Sequence, residues 1–246
     1  MAYAVVTRDL DEAAPYVAAL ASLGLETVAM PVTRTEEPHD EDALRRAIEL
    51  GGYAAIVCAS ARAALALLGA RGDARLPEVW AVGPATARVL EAARVPAVVP
   101  SDTRDGATLA RALLASRELV GKRILVPRAE AGRDDVLEIL RAGGVEVDAV
   151  IAYRTVAVAG DDPAIARGRE LLAKGLAAVC VVFAPSQVAA LDALVGLRSL
   201  VTRFAAIGET TAVALRAAGA AVIAVADSPT PEGIANAVAA VYPATR

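Results

Sequence analysis

Hydroxyls, arginines and short polar turns carry most of the chemical potential of this chain. Tyr153 ends an apolar run in IAYRT; Ser60 lies in CASAR, Ser186 in FAPSQ, Thr86 in VGPAT, and Thr210 and Thr211 in IGETT. Arg8 and Arg128 close the apolar runs VVTR and ILVPR, and Arg62 and Arg133 follow such runs at a short distance. Lysine occurs only at 122 and 174, so arginine carries nearly all the positive charge. Its flat fork of donors suits carboxylates and phosphates. His39 is the only histidine, and the two cysteines, Cys58 and Cys180, both sit inside apolar runs. That pattern argues against Ser-His-Asp or Cys-His nucleophiles and against a structural zinc site.

Bulk properties narrow the field further. The chain has 246 residues, 56% of them hydrophobic, and a formal net charge of −4. This is enough apolar material for one large or two small domains. Like charges do not cluster, so nucleic acid is not an expected partner. Apolar runs such as AAVCVVFA at 177–184 are too short to span a bilayer and suit buried parallel strands. The N-terminal MAYAVVTRDLDE has no basic segment leading into a long apolar stretch, and the expectation is a reduced, soluble, cytoplasmic protein without membrane association. Trp80 and both cysteines read as packing residues, and His39 and the acidic pair in GDD at 160–162 as solvated.

The elements that must position these residues are written twice. AVGPATARVL at 81–90 recurs as AIGETTAVAL at 206–215, with Gly83 over Gly208 and Thr86 over Thr211. YAAIVCASARAAL at 53–65 parallels AAVCVVFAPSQVAAL at 177–191, with Ser60 over Ala184 and Arg62 over Ser186. Residues 3–35 parallel 123–155, which places Arg8 on Arg128, and 95–114 parallel 220–239. Four blocks in the same order describe a tandem duplication with halves near 1–119 and 120–246.

Each half alternates a short apolar strand with an amphipathic helix that ends near glycine. The expected fold is α/β, with two similar doubly wound parallel sheets covered by helices on both faces. Ligands of such sheets bind at the carboxyl ends of the strands, where all the polar turns lie. The polar stretches 36–47 and 157–168, each with a proline, resemble crossing points between globules. They leave open whether the two domains are consecutive or one is inserted in the other.

The ordered pieces VVTR, CASARAA, AVGPATARVL, ILVPRAEAGRDDVLEIL, IAYRT, FAPSQV, FAAIGETTAVAL and DSPTPEGIANAV resemble the uroporphyrinogen-III synthase family along nearly the whole chain. That resemblance implies a discontinuous first domain (1–35 plus 157–246), an inserted second domain (38–153) and linker strands near 33–38 and 153–158. It implies a usually monomeric, cytosolic enzyme that needs neither metal nor organic cofactor. The implied substrate is hydroxymethylbilane, bound between the domains and closed to uroporphyrinogen III with inversion of the last pyrrole ring and loss of water. A binding module of the same fold that holds a tetrapyrrole or another anion without turnover is the alternative.

The resemblance also assigns roles. Tyr153 becomes the catalytic candidate, a hydroxyl that assists departure of the substrate's hydroxyl, although packing beneath the linker would also explain a tyrosine there. A phenol is a weak acid at neutral pH, so its contribution should be modest. Arg8, Ser60, Arg62, Thr86, Arg128, Arg133, Ser186, Thr210 and Thr211 become candidates for binding the substrate's carboxylates. Arg8 and Arg128 would face one cleft from two sides, with helix N-termini adding N–H donors. Helix capping by the threonines, turn chemistry at the serines and solvation of the arginines are the plainer readings. Glu130 is the expected partner of Arg128. The family often has serine where Ala184 stands, and this chain departs there.

Overall fold

The computed structural model describes residues 2–242. In chain order the first elements are β1 (Ala2–Val6), α1 (Leu10–Ala21), β2 (Leu25–Ala29), β3 (Thr33–Glu36), α2 (Ala43–Leu50), β4 (Tyr53–Cys58), α3 (Ala61–Ala70), β5 (Val79–Ala81), α4 (Pro84–Ala92), β6 (Ala97–Val98) and α5 (Gly106–Ser116). Then follow β7 (Arg123–Ala129), α6 (Asp135–Ala142), β8 (Glu146–Ala157), α7 (Pro163–Ala173), β9 (Ala177–Val182), α8 (Pro185–Val195), a short 3₁₀ turn, β10 (Arg203–Ala206), α9 (Glu209–Ala217), β11 (Val222–Val225) and α10 (Pro231–Val241).

Two compact units result. One takes both ends of the chain, up to Arg34 and again from Val156; the other is Thr35–Thr155. We call them the outer and inner units. Strands β3 and β8 carry the chain between them and are neighbours in the inner unit's sheet. No helix of the described residues is long and apolar enough to cross a membrane.

The outer sheet has the order β11-β10-β9-β1-β2, all paired in parallel. Counted along the chain this is 2-1-3-4-5, a doubly wound order whose connections reverse between β1 and β9. The inner sheet, β3-β8-β7-β4-β5-β6, holds the duplicated equivalents in the same spatial order, with β7 and β4 at its reversal point. At each reversal the helices on either side lead away to opposite faces, and a crevice opens above the strand ends.

Strand residues alternate between two apolar layers. In the outer unit Val5, Cys180, Val182 and Phe204 face α7, α8 and α9, while Ala4, Val6, Val179 and Val181 face α1 and α10. In the inner unit Ile56, Cys58 and Leu125 pack under α3 and α4, whereas Val57, Ile124 and Val126 pack under α5 and α6. With both faces buried, the central strands β1, β4 and β9 are apolar almost throughout, which is why they read as continuous runs, whereas β3 and β8 carry polar residues.

At the amino ends of the inner strands, Tyr53, Arg123 and Asp148 form a clasp. The Tyr53 hydroxyl donates to Asp148 (2.8 Å), Arg123 donates to the same carboxylate, and the guanidinium lies 4.7 Å from the Tyr53 ring centroid. Strands β4, β7 and β8 are thereby tied below their apolar sections.

Candidate functional site

At the inner reversal point a cavity of about 210 Å³ is lined by Ser60, Asp105, Arg128, Arg133, Val136 and Tyr153, among others. Four of the candidates, Ser60, Arg128, Arg133 and Tyr153, thus share one site.

Local rules place each of them. Ser60 is the N-cap of α3: its extended backbone ends β4, and its hydroxyl accepts from the Ala63 N–H (3.0 Å). Tyr153 lies on β8, whose register with β7 shifts between Arg128 and Ala129; the Glu130 N–H then donates to the Tyr153 carbonyl (3.0 Å). The Tyr153 ring packs beside the Ile56–Cys58–Leu125 layer, and its hydroxyl lies 3.1 Å from that of Ser60. Packing and chemistry therefore use different ends of one side chain.

A serine oxygen has two acceptor positions and one proton. With Ala63 N–H occupying one position, Ser60 can still donate its proton to the Tyr153 oxygen. Tyr153 then has its own proton for a ligand.

Arg128 folds back onto its own loop. It donates to the carbonyls of Ala129 and Gly132 and pairs with Asp134. This corrects the expected pairing with Glu130, whose carboxylate lies 3.8 Å from His39 instead. The reason is the turn after β7, which brings residues 132–134 over the guanidinium; a Cβ on Gly132 would stand 3.3 Å from Arg128 Nη2. Arg133 is exposed and pairs with Asp135 (2.7 Å).

Asp105 escaped the sequence reading. It caps α5 in a reciprocal box with Thr108, and the Thr108 N–H and hydroxyl hold its carboxyl below the usual range. The spacing DGAT after a loop was the available signal.

The remaining inner candidates lie apart from the cavity lining. Arg62 is exposed on the first turn of α3. Thr86, third residue of α4, is buried. Its outer counterpart Thr211 is equally buried as third residue of α9, while Thr210 beside it is exposed. The caps of these helices are Gly83 and Gly208, without a side-chain cap bond, so the expected capping by Thr86 and Thr211 does not occur; both are buried first-turn residues instead.

At the outer reversal point stand Arg8 after β1 and Ser186 in the first turn of α8. The Arg8 guanidinium carbon lies 4.3 Å from the Phe183 ring centroid and 5.5 Å from that of Tyr16, and Arg8 pairs with Glu12 (3.2 Å). Ser186 is exposed.

Of the helices that begin directly after a strand's end, α4 after Gly83, α8 after Ala184 and α9 after Gly208 have no side-chain cap. Their first-turn N–H groups suit an anion. Gly83 and Gly208 are extended, and a Cβ on either would meet nothing within 4 Å. Neither backbone strain nor packing requires glycine there, and the missing side chains leave the helix ends open.

The fold and these strand-end groups define a class: a duplicated, doubly wound α/β protein that offers hydroxyls, guanidinium groups and open helix N-termini to a ligand. The model of the uroporphyrinogen-III synthase HemD family matches residues 14–236, and the chain belongs to that family. Solved structures agree on the fold. Uroporphyrinogen-III synthetase from Helicobacter pylori superposes with a TM-score of 0.67 at 15% identity, over 98% of this chain and 100% of that one. A mutant uroporphyrinogen III synthase from the extremely thermophilic bacterium Thermus thermophilus gives 0.63 at 20% identity, over 96% of each chain.

Proposed function

We propose that this chain cyclises hydroxymethylbilane to uroporphyrinogen III, inverting the last pyrrole ring and releasing water. Family membership supports the reaction. The observation that carries the site is the Ser60–Tyr153 hydroxyl pair at the inner cavity.

The electron-rich pyrrole itself expels the hydroxyl of its hydroxymethyl group. The protein's tasks are to assist that departure, to present the substituted ring carbon to attack and to exclude water. Tyr153 donates its proton to the leaving oxygen while Ser60 donates to the tyrosine oxygen. The C–O bond breaks and water departs.

The cavity, about 210 Å³, is smaller than the ~300–1,000 Å³ usual for a pocket that holds a whole drug-sized ligand, so it takes part of the substrate rather than four linked pyrroles. Arg133, Arg62 and the exposed hydroxyls of Thr210 and Ser186 are the side chains placed to receive carboxylates at the surface. Arg128 acts mainly by holding the 129–134 loop that walls the cavity. Work as a monomer, in the cytoplasm and without a cofactor, rests on the family resemblance.

The test is product analysis. Hydroxymethylbilane is generated in place, the protein is added, and the oxidised products are separated by chromatography. Uroporphyrin III in place of uroporphyrin I establishes ring-inverting closure. Uroporphyrin I alone, from folded protein, refutes it and favours a non-catalytic tetrapyrrole-binding relative.

A further inference from the structure

Gln187 did not figure among the residues expected to bind substrate, yet it is the most constrained polar side chain at the outer reversal point. It is the third residue of α8 and only 9% exposed. Its side-chain oxygen accepts from the Phe183 N–H (3.0 Å) and from the Thr7 hydroxyl (2.8 Å). The Phe183 donor is a backbone N–H, so the acceptor must be the amide oxygen, which fixes the orientation of the group. The Thr7 hydroxyl also lies 3.0 Å from the Val181 carbonyl, which receives the Thr7 N–H (3.1 Å); its shorter contact is the one to Gln187.

Both acceptor positions of the Gln187 oxygen are thereby used, and its two N–H donors remain. Among the described residues they have no protein acceptor. The nitrogen is also absent from the solvent-sealed orphan atoms of the described residues, so solvent reaches it. A buried amide, locked through its oxygen and open at its nitrogen, is set to donate to something that arrives from outside.

Its surroundings say what arrives. Phe183, whose N–H locks Gln187, carries the Arg8 guanidinium on its ring face. The Nε of Arg8 is sealed from solvent and its Nη1 pairs with Glu12 (3.2 Å), which leaves the Nη2 edge of the guanidinium for a ligand. Helix α8 starts at Ala184 with no side-chain cap, which leaves the Ser186 N–H at the same turn. Donors from an amide, a guanidinium and a helix N-terminus converge on one chemistry, a carboxylate.

We propose that Gln187 binds a carboxylate arm of the substrate through its side-chain amide, next to Arg8, at the carboxyl ends of β1 and β9. This rests on the cyclase reading. It also offers a reason for the alanine at 184: with no serine cap, the N-terminus of α8 stays available, and Gln187 supplies the fixed donor.

The deciding variant is Gln187→Glu. It keeps an oxygen for Phe183 and Thr7 and replaces only the N–H₂ by a carboxylate oxygen. The KM for hydroxymethylbilane should rise about tenfold or more, with kcat nearly unchanged; the thermal midpoint, read beside it, shows that the variant is folded under the assay conditions. An unchanged KM in the folded variant overturns the proposal. If Gln187→Glu does not fold, Gln187→Met, uncharged and similar in volume, is compared instead, with its thermal midpoint reporting the separate cost of leaving the Phe183 N–H and the Thr7 hydroxyl without their acceptor. Titration calorimetry with uroporphyrin III, an octacarboxylate, separates the two readings. A wild-type protein that makes no isomer III refutes the cyclase, while equal affinities of wild type and variant for the porphyrin refute the carboxylate subsite.

Discussion

The hydroxyls of Ser60 and Tyr153 lie 3.1 Å apart although 93 residues separate them in the chain. Two unrelated local devices create the contact. One is a helix cap at the end of β4, the other a register shift that turns the end of β8 toward it. The cap fixes the serine oxygen through Ala63, and the apolar layer fixes the tyrosine ring. If Tyr153 is the proton donor of the proposed reaction, a hydroxyl held this firmly needs no reorganisation when the leaving oxygen arrives.

Tyr153→Phe should therefore lower kcat about a hundredfold, near the low end for a positioned proton donor, and leave the fold intact. Ser60→Ala should slow turnover as well, and it should also cost about 1 kcal/mol of stability through the lost cap. If the hydroxyls act as a pair, the double variant will be no slower than Tyr153→Phe alone. Steady-state kinetics on the three variants measure this; multiplicative losses would show two independent contributions.

The clasp at the other end of the inner sheet gives a pH prediction. Burial, helped by the adjacent Asp148, pushes the Tyr53 hydroxyl up to about 12. The hydrogen bond from Tyr53, joined by Arg123, holds the Asp148 carboxyl below its usual range. For Asp148, a depressed folded value means stability present above about pH 4 and lost as pH falls further. For Tyr53, a raised folded value means stability present below about pH 10 and lost on the way to 12. Thermal melts of wild type and Tyr53→Phe should therefore differ most between pH 4 and 10 and converge outside that window. A constant difference across pH would show that Tyr53 contributes by packing alone.

The duplication was legible because both copies preserve the same punctuation, glycine before a helix and polar turns after apolar runs. From it followed the parallel sheets, their two-sided burial and the strand ends as the site. Side-chain partnerships were not legible. Arg128 turns from Glu130 to Asp134 because of how one loop closes, a matter of backbone path that residue types do not encode. Gln187 and Thr7 face each other only because β1 and β9, far apart in sequence, are neighbours in the sheet. The SPTPEG within DSPTPEGIANAV forms the start of a helix. Thr230 caps α10 by accepting from the Gly233 N–H (3.0 Å), Pro231 occupies the first turn, and Gly233 lies against the backbone of Ser228.

The cysteines report on each unit separately. Cys58 is sealed in the inner unit and Cys180 in the outer one. Burial pushes the Cys58 thiol up to about 12 and Cys180 higher still, so thiolate is scarce in the folded protein. Alkylation at neutral pH should require local opening, and its rate at each site, read by peptide mass spectrometry, should follow the stability of that unit alone. Tyr53→Phe should accelerate labelling of Cys58 and not of Cys180. Equal acceleration at both would mean that the units open as one.

Three glycines give the sharpest separation between binding and stability. Gly208 precedes α9 in an extended conformation that any residue adopts, and a Cβ there would meet no atom within 4 Å. Gly208→Ala should thus change stability by no more than about 0.5 kcal/mol. A ligand carboxylate on the uncapped first turn of α9 would collide with the new methyl, so KM should rise about tenfold. Gly83→Ala, its duplicated counterpart before α4, should behave the same way. Gly233 is the contrast: a Cβ there would stand 2.2 Å from the Ser228 carbonyl oxygen, a backbone atom that cannot swing aside. Gly233→Ala should cost about 1–3 kcal/mol and impair activity only through unfolding. Calorimetric melts beside KM values for the three variants decide the matter. If Gly208→Ala and Gly83→Ala bind substrate like wild type, the open helix ends are not used, and the carboxylates are held by side chains such as Arg133 and Gln187 instead.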